Sequence, residues 1–231
     1  MREKVNGFVG VMALTILCIV SGLCMVWGTA PVVLAVYVAA CAVCGRYMIT
    51  CIGCAAGVAA GSMGIAGLLH ADEYMIPGPV YSGVMVTEKY LVLLGLAMCL
   101  MKIVYSRNSK AYVRVIVVMA AAVLMGNIVV YADNMLMAAA YGVVEAAIFM
   151  CASVILKPGI GLLYTYICGD ASDVERDESW NISQGIVSLM ALAAVVLWVV
   201  PGEDIYGVNP AFMLALVLIL YAVYRTGAVY G

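Results

Sequence analysis

Hydrophobic residues along the chain are grouped into eight long runs, separated by short stretches of charged and turn-forming residues. Most of the runs have roughly 20 residues, the length that a helix needs to cross a bilayer. None alternates with the period of a strand, and a helix satisfies its own backbone within hydrocarbon. The pattern predicts an all-α, polytopic membrane protein with about eight transmembrane helices in one domain, residues 1–231. The predicted spans are residues 7–27, 31–44, 47–69, 86–105, 111–131, 134–156, 180–200 and 210–226.

The composition agrees with this interpretation. Hydrophobic residues make up 67% of the chain and charged residues 10%, and the mean hydropathy is +1.13, whereas about 25% of the residues of a soluble domain are charged. No basic patch with interleaved aromatic residues is present, which argues against a nucleic-acid partner. No phosphate-binding loop, nucleophile elbow or metalloprotease motif occurs in a suitable context. The sequence therefore predicts no catalytic, cofactor-binding or metal-binding residue, and it is not that of an enzyme.

The distribution of cations predicts the orientation in the membrane, because Lys and Arg gather near the cytoplasmic ends of spans. With eight spans and the amino terminus inside, one cation, Lys89, falls near an outer end, and the carboxyl terminus returns to the cytoplasm. The cations on the inner side are Arg2, Lys4, Arg46, Lys102, Arg107, Lys110, Arg114, Lys157, Arg176 and Arg225.

One predicted span, residues 134–156, carries an acid, Glu145, near its midpoint. A carboxylate there costs about 2.5–3.5 kcal/mol on insertion scales. Ala138, Gly142 and Glu145 share a helix face of small residues that another helix can approach. Three roles remain open: a hydrogen-bonded group that fixes helix registry, a transport or relay site, and a subunit contact. If Glu145 fixes helix registry, we expect Glu145→Gln to fold normally and Glu145→Leu to disturb assembly. Gln184 and Ser188 are candidate hydrogen-bond partners of Glu145.

Gly53, Gly57 and Gly61 follow each other at four-residue intervals in the third span. This spacing puts three residues without side chains on one helix face, where another backbone can come close. Together with Ala138, Gly142 and Glu145, these glycines are the candidate residues for helix packing, assembly and self-association.

Cysteine and histidine could hold a metal, but their setting favours other interpretations. Cys41, Cys44, Cys51 and Cys54 have metal-ligand spacing, yet they lie in apolar helix, where Cys packs as a small hydrophobic residue. His70, the only histidine, lies beside two acids in an outer loop, residues 70–86, and a metal site needs three or four converging ligands. We interpret the four cysteines as packing residues and His70 as a solvated loop residue.

The order of features resembles the amino-terminal membrane domain of stage II sporulation protein E, a polytopic phosphatase of endospore-forming bacteria. The likeness is densest from Tyr131-Ala132-Asp133-Asn134 to Val144-Glu145-Ala146, similar to that family's tyrosine-alanine-x-asparagine turn and the helix after it. Weaker likenesses are Pro31 at the short second span, the glycine-rich third span, Asp177-Glu178 before the seventh span, and Gly227-Ala228 with Gly231.

The resemblance implies a membrane anchor of about ten spans, followed by a regulatory segment and a manganese-dependent serine/threonine phosphatase of the PP2C type. It also implies anchoring and assembly at the division septum during sporulation, with FtsZ and other septal proteins as partners. Under this hypothesis the chain is an anchor fragment without the catalytic domain.

Two alternatives remain. One is a small-molecule transporter, or its substrate-binding membrane subunit, that uses Glu145. The other is a purely structural membrane protein.

Overall fold

The protein is all-helical over the part described by a computed structural model, residues 2–23, 31–62, 83–104, 109–130, 135–168 and 182–199. These residues contain seven α-helices and no strand, which confirms the predicted helical class. The predicted span 210–226, His70 and most of the predicted loop 70–86 lie outside the described residues. The helices are α1 (Arg2–Leu23), α2 (Pro31–Cys44), α3 (Tyr47–Ser62), α4 (Gly83–Val104), α5 (Ser109–Val130), α6 (Met135–Cys168) and α7 (Ile182–Val199).

Local sequence sets both ends of α2. Pro31 occupies its first position, where a missing N–H costs no hydrogen bond. The helix ends at Gly45, whose φ of 65° is a left-handed conformation that glycine adopts without steric cost. The Gly45 N–H donates to the carbonyl of Cys41 at 3.0 Å, which closes the helix end before Arg46 starts the turn into α3.

Helix α2 forms the interior of the bundle. Every residue from 31 to 41 is buried, and α2 contacts α1, α3, α4 and α6. A helix that is apolar on all sides, as α2 is, belongs inside a fold. Against α3, the Tyr37 hydroxyl donates to the carbonyl of Tyr47 and the Cys54 thiol to that of Val33, which shows that α2 and α3 are antiparallel.

Glycines bring α1 and α3 into backbone contact. A Cβ built on Gly57 would collide with the carbonyl oxygen of Ile19, and one on Gly22 would lie 2.5 Å from the amide nitrogen of Val58. Gly53 faces Thr15 in the same contact. Because residue numbers rise together along both helices, α1 and α3 run parallel, as required if α2 crosses back between them.

Helix α6 is longer than the sequence predicts. The predicted span ends at residue 156, before Pro158 and Gly159, but the helix continues through Pro158 to Cys168. Proline removes one helix hydrogen bond, and a neighbouring helix can compensate for such a break. Here the Gly159 N–H donates to Ser188 Oγ of α7 at 2.5 Å. The contact with α7 therefore supports α6 at the position where its own sequence predicts an end.

Two of the described helices are long and apolar enough to cross a membrane: residues 111–130 of α5 and 135–165 of α6, with mean hydropathies of 2.4 and 2.0. Only 33% of the most apolar 18-residue stretch of each helix is buried within the fold, whereas a core helix of a soluble protein is mostly buried. Large apolar side chains stand out from their surfaces, including Leu136 at 83% exposure and Val129 at 74%. The two helices indicate membrane association.

The α1–α3 contact predicts opposite effects for two glycine substitutions. Gly57→Ala should destabilise the protein by about 1–3 kcal/mol, because its methyl group collides with the α1 backbone. Gly95→Ala in α4 has nothing within 4 Å and should stabilise it by about 0.4–1 kcal/mol. Thermal unfolding in detergent compares the two variants. Equal melting temperatures would show that α1 and α3 are not in backbone contact.

Candidate functional site: a buried ion-pair network

Three polar side chains from three helices meet inside the apolar bundle. Lys89 of α4 forms a salt bridge with Glu145 of α6, with 2.6 Å between Nζ and Oε2. Asn127 of α5 joins both: its Nδ2 donates to Glu145 Oε2 at 2.8 Å, and its Oδ1 accepts from Lys89 Nζ at 3.0 Å. The three contacts close a ring, called here the ion-pair network, that ties α4, α5 and α6 together.

The helices place these side chains through local features of their sequences. Gly142 lies one turn before Glu145, and a Cβ there would be 3.4 Å from the backbone of Leu124, so α6 approaches α5 closely beside Asn127. The Asn127 amide is oriented by a second hydrogen bond, from Nδ2 to the carbonyl of Val123 at 3.1 Å. The Lys89 stem passes beside Gly126, the residue before Asn127.

Burial makes the pairing of the two charges essential. The Lys89 side chain is 5% exposed and that of Glu145 is 3% exposed, so neither charge is solvated by water. Removing one partner of such a pair leaves a buried, uncompensated charge, which costs about 3–5 kcal/mol. Because an ammonium and a carboxylate cancel, the network adds no net charge to the apolar interior.

The two carboxylate oxygens of Glu145 differ in their contacts. Oε2 accepts two of the three hydrogen bonds of the network, whereas Oε1 is buried without a hydrogen-bond partner among the described residues. Lys89 also places its ammonium over the ring of Tyr90, 5.1 Å from the centroid, within the range of a cation–π interaction. The network thus connects three helices and also leaves one acceptor unused.

Four of the six candidate residues from the sequence belong to two separate helix contacts. Gly53 and Gly57 face α1, while Gly142 and Glu145 face α5. The other two are buried, Gly61 in α3 and Ala138 in α6.

Sequence reasoning missed the partners of Glu145. The sequence places Lys89 near an outer end of a span, and the structure shows its side chain buried against Glu145. Asn127 was not considered, although a polar residue in the apolar run of α5 is a signal that a search of all polar residues within spans would have found. Ser188, a predicted partner, instead accepts the Gly159 N–H, and the side chain of Gln184 lies outside the described part of the protein.

Three of the four cysteines with metal-ligand spacing contact oxygen atoms of α2 or α3. The thiol of Cys41 lies 3.4 Å from the hydroxyl of Thr50, and that of Cys44 donates to the carbonyl of Ala40 at 2.9 Å. Within the described residues, no group of three or more His, Cys, Asp or Glu side chains could hold a metal ion. The ion-pair network is therefore the strongest candidate site.

Comparison with protein-family models, curated proteins and solved structures finds no match to this chain.

The network predicts a strongly non-additive mutant cycle. Lys89→Met and Glu145→Leu should each lower the free energy of unfolding by about 3–5 kcal/mol, because each strands the opposite charge. The double variant strands neither and should recover most of the loss. The ion pair also changes the expectation for Glu145→Gln, which keeps an acceptor but leaves Lys89 uncompensated and should be destabilised.

Denaturant titration in detergent measures each free energy of unfolding. Glu88→Gln, which removes an exposed acid beside Lys89, is the matched control and should change the stability by less than about 0.5 kcal/mol. Additive losses in the double variant would contradict the pairing.

Proposed function

We propose that the chain is a multi-pass membrane domain of about eight helices, with both termini in the cytoplasm. An inverted distribution of polarity supports this proposal. The polar groups of Asn127 and Glu145 are buried at 0% and 2% exposure, while Val92 and Leu136 are exposed at 71% and 83%. A surface of this kind is matched by lipid chains and not by water.

The dimensions of α6 support a position for Glu145 near the bilayer midplane. Glu145 lies about 15 Å along the helix from Met135, and Lys157 about 18 Å farther on, at 1.5 Å per residue. Together these distances match a hydrocarbon core of roughly 30 Å. Lys157 then lies near the inner boundary, where its ammonium packs 4.6 Å from the ring centroid of Tyr112.

The cations of α4, α5 and α6 support the proposed orientation. Helices α4, α5 and α6 pack as antiparallel neighbours. Asn127 of α5 contacts Lys89 of α4 and Glu145 of α6, and the Tyr112 hydroxyl donates to the carbonyl of Ser153. Exposed Lys102 and Arg114 therefore lie at the same end as Lys157. Because Lys89, the outer exception, is neutralised inside the bundle, it no longer opposes the positive-inside pattern.

We further propose that this domain anchors and assembles a larger protein. The closed ion-pair network carries this proposal. Lys89 and Asn127 bond to each other and to Glu145 within the bundle, which suits a role in holding three helices in register. From the residues that resemble stage II sporulation protein E, we propose that the larger protein carries a PP2C-type phosphatase domain, which would use manganese. The same resemblance suggests the division septum as its location. FtsZ and septal proteins, together with self-association, are the corresponding partners.

Labelling of introduced cysteines tests the proposed threading. Arg46→Cys lies in the exposed α2–α3 turn and should react with a membrane-impermeant maleimide only when the cytoplasmic face is open. Asp133→Cys, in the connection between α5 and α6, should react from the outside of intact cells. The parent protein reports the background of the exposed Cys99 and Cys151. Labelling of both positions from one side would contradict the proposal.

Localisation tests the assembly role. A fluorescent fusion of the chain should be enriched at the division septum of sporulating cells, and Glu145→Leu should lose this enrichment. An unrelated multi-pass protein is the control. An even distribution around the cell membrane, equal to that of the control, would show that the septal assignment is wrong. The coding sequence after Gly231 provides a second test, because the proposal requires a phosphatase domain downstream.

A second candidate is a transporter or proton relay that uses Glu145. The unused Oε1 atom favours it, because ionisable groups within membranes often lie on ion or substrate pathways. Uptake into vesicles that is lost in Glu145→Ala would support this candidate over the anchor.

A further inference from the structure

We propose that Glu145 and Asn127 form a binding site for a primary ammonium group, and that Lys89 occupies this site as a tethered ligand. The assembly role uses the ion-pair network only to hold helices together. The inference goes beyond that role, because it assigns to two residues of α5 and α6 a ligand class of their own, small primary alkylammonium ions.

The acceptors around Lys89 Nζ match the donors of an ammonium group. Glu145 Oε2 lies at 2.6 Å and Asn127 Oδ1 at 3.0 Å, and the face of the Tyr90 ring lies on a further side. An ammonium has three N–H groups and a full positive charge. A carboxylate, an amide oxygen and an aromatic face supply charge balance, a neutral acceptor and a cation–π contact.

These acceptors are held in place independently of Lys89. Asn127 Nδ2 donates to Glu145 Oε2 and to the carbonyl of Val123, which turns Asn127 Oδ1 toward the ammonium. The backbones of α5 and α6 meet beside Gly142, so the acceptor pair sits on two closely packed helices. The site should therefore persist when the lysine side chain is removed.

The site also has more acceptor capacity than Lys89 uses. Glu145 Oε1 is buried and has no hydrogen-bond partner in the described part of the chain. The ammonium of Lys89 is tethered to α4 and bonds to Oε2. A free ammonium ion has no tether, so it can turn an N–H toward Oε1 while it keeps its other contacts.

Chemical rescue tests this inference. Lys89→Ala deletes the side-chain atoms from Cγ to Nζ, and n-propylammonium has the same carbon and nitrogen atoms. Thermal unfolding of purified Lys89→Ala in detergent is followed against the concentration of n-propylammonium chloride. The melting temperature should fall in the variant and rise again, with saturation, by several degrees as the site fills.

Three controls isolate the site. Tetramethylammonium chloride carries the same charge without N–H donors and should give no rescue. Lys89→Met fills the space of the deleted stem and should not respond to n-propylammonium. The Lys89→Ala/Glu145→Ala variant lacks the carboxylate and should not respond either. A flat response of Lys89→Ala, or an equal response in any control, would overturn the proposal.

Folding of Lys89→Ala is itself informative. If the variant aggregates during solubilisation, n-propylammonium is added at that step, and recovery of monodisperse protein is measured by size-exclusion chromatography. Recovery with n-propylammonium and not with tetramethylammonium supports the site. Aggregation with both salts contradicts it. Septal localisation does not enter this experiment, so its result is independent of the assembly proposal.

Discussion

A buried positive charge and a buried negative charge must meet, and this requirement constrains three of the seven described helices. Lys89 and Glu145 are 56 residues apart in the sequence, yet Nζ and Oε2 lie 2.6 Å apart. A register shift of α4 or α6 by one residue would turn the side chain by about 100° around the helix axis, besides moving it by about 1.5 Å along the axis, and would break the contact. Asn127, between them, imposes the same condition on α5. The network therefore sets the register of three helices at once.

The packing of α1 against α3 depends on close approach of their backbones. Gly22 and Gly57 allow α1 and α3 to touch, and α2 lies buried next to both. Because α2 also contacts α4 and α6, it joins the glycine contact to the ion-pair network. Small residues allow α1 and α3 to pack closely, and paired charges hold α4, α5 and α6 together. Both kinds of contact are typical of helices in lipid, where the hydrophobic effect does not drive helix association.

The sequence predicts the helices well and their partners poorly, for physical reasons. Apolar runs with clear breaks identify α2 at its observed bounds, residues 31–44. The predicted end of α6 at residue 156 was wrong. Pro158 and Gly159 normally stop a helix, but here the Gly159 N–H bonds to Ser188, which lies in a distant part of the chain. The ion-pair network was not predicted for a similar reason. The residues around a lysine near the end of an apolar run do not show whether its ammonium is solvated by water or bonded to a distant carboxylate.

The buried ion pair connects the fold to both proposals, because the contacts that tie the helices together are also those of the proposed ammonium site. The most direct measurement is the nuclear dipolar coupling between ¹⁵N-labelled Lys89 Nζ and the ¹³C-labelled carboxyl carbon of Glu145, recorded by solid-state NMR in lipid bilayers. We expect a measurable coupling, because the two nuclei are connected through the 2.6 Å contact between Nζ and Oε2. Absence of this coupling in the parent protein would contradict the ion pair.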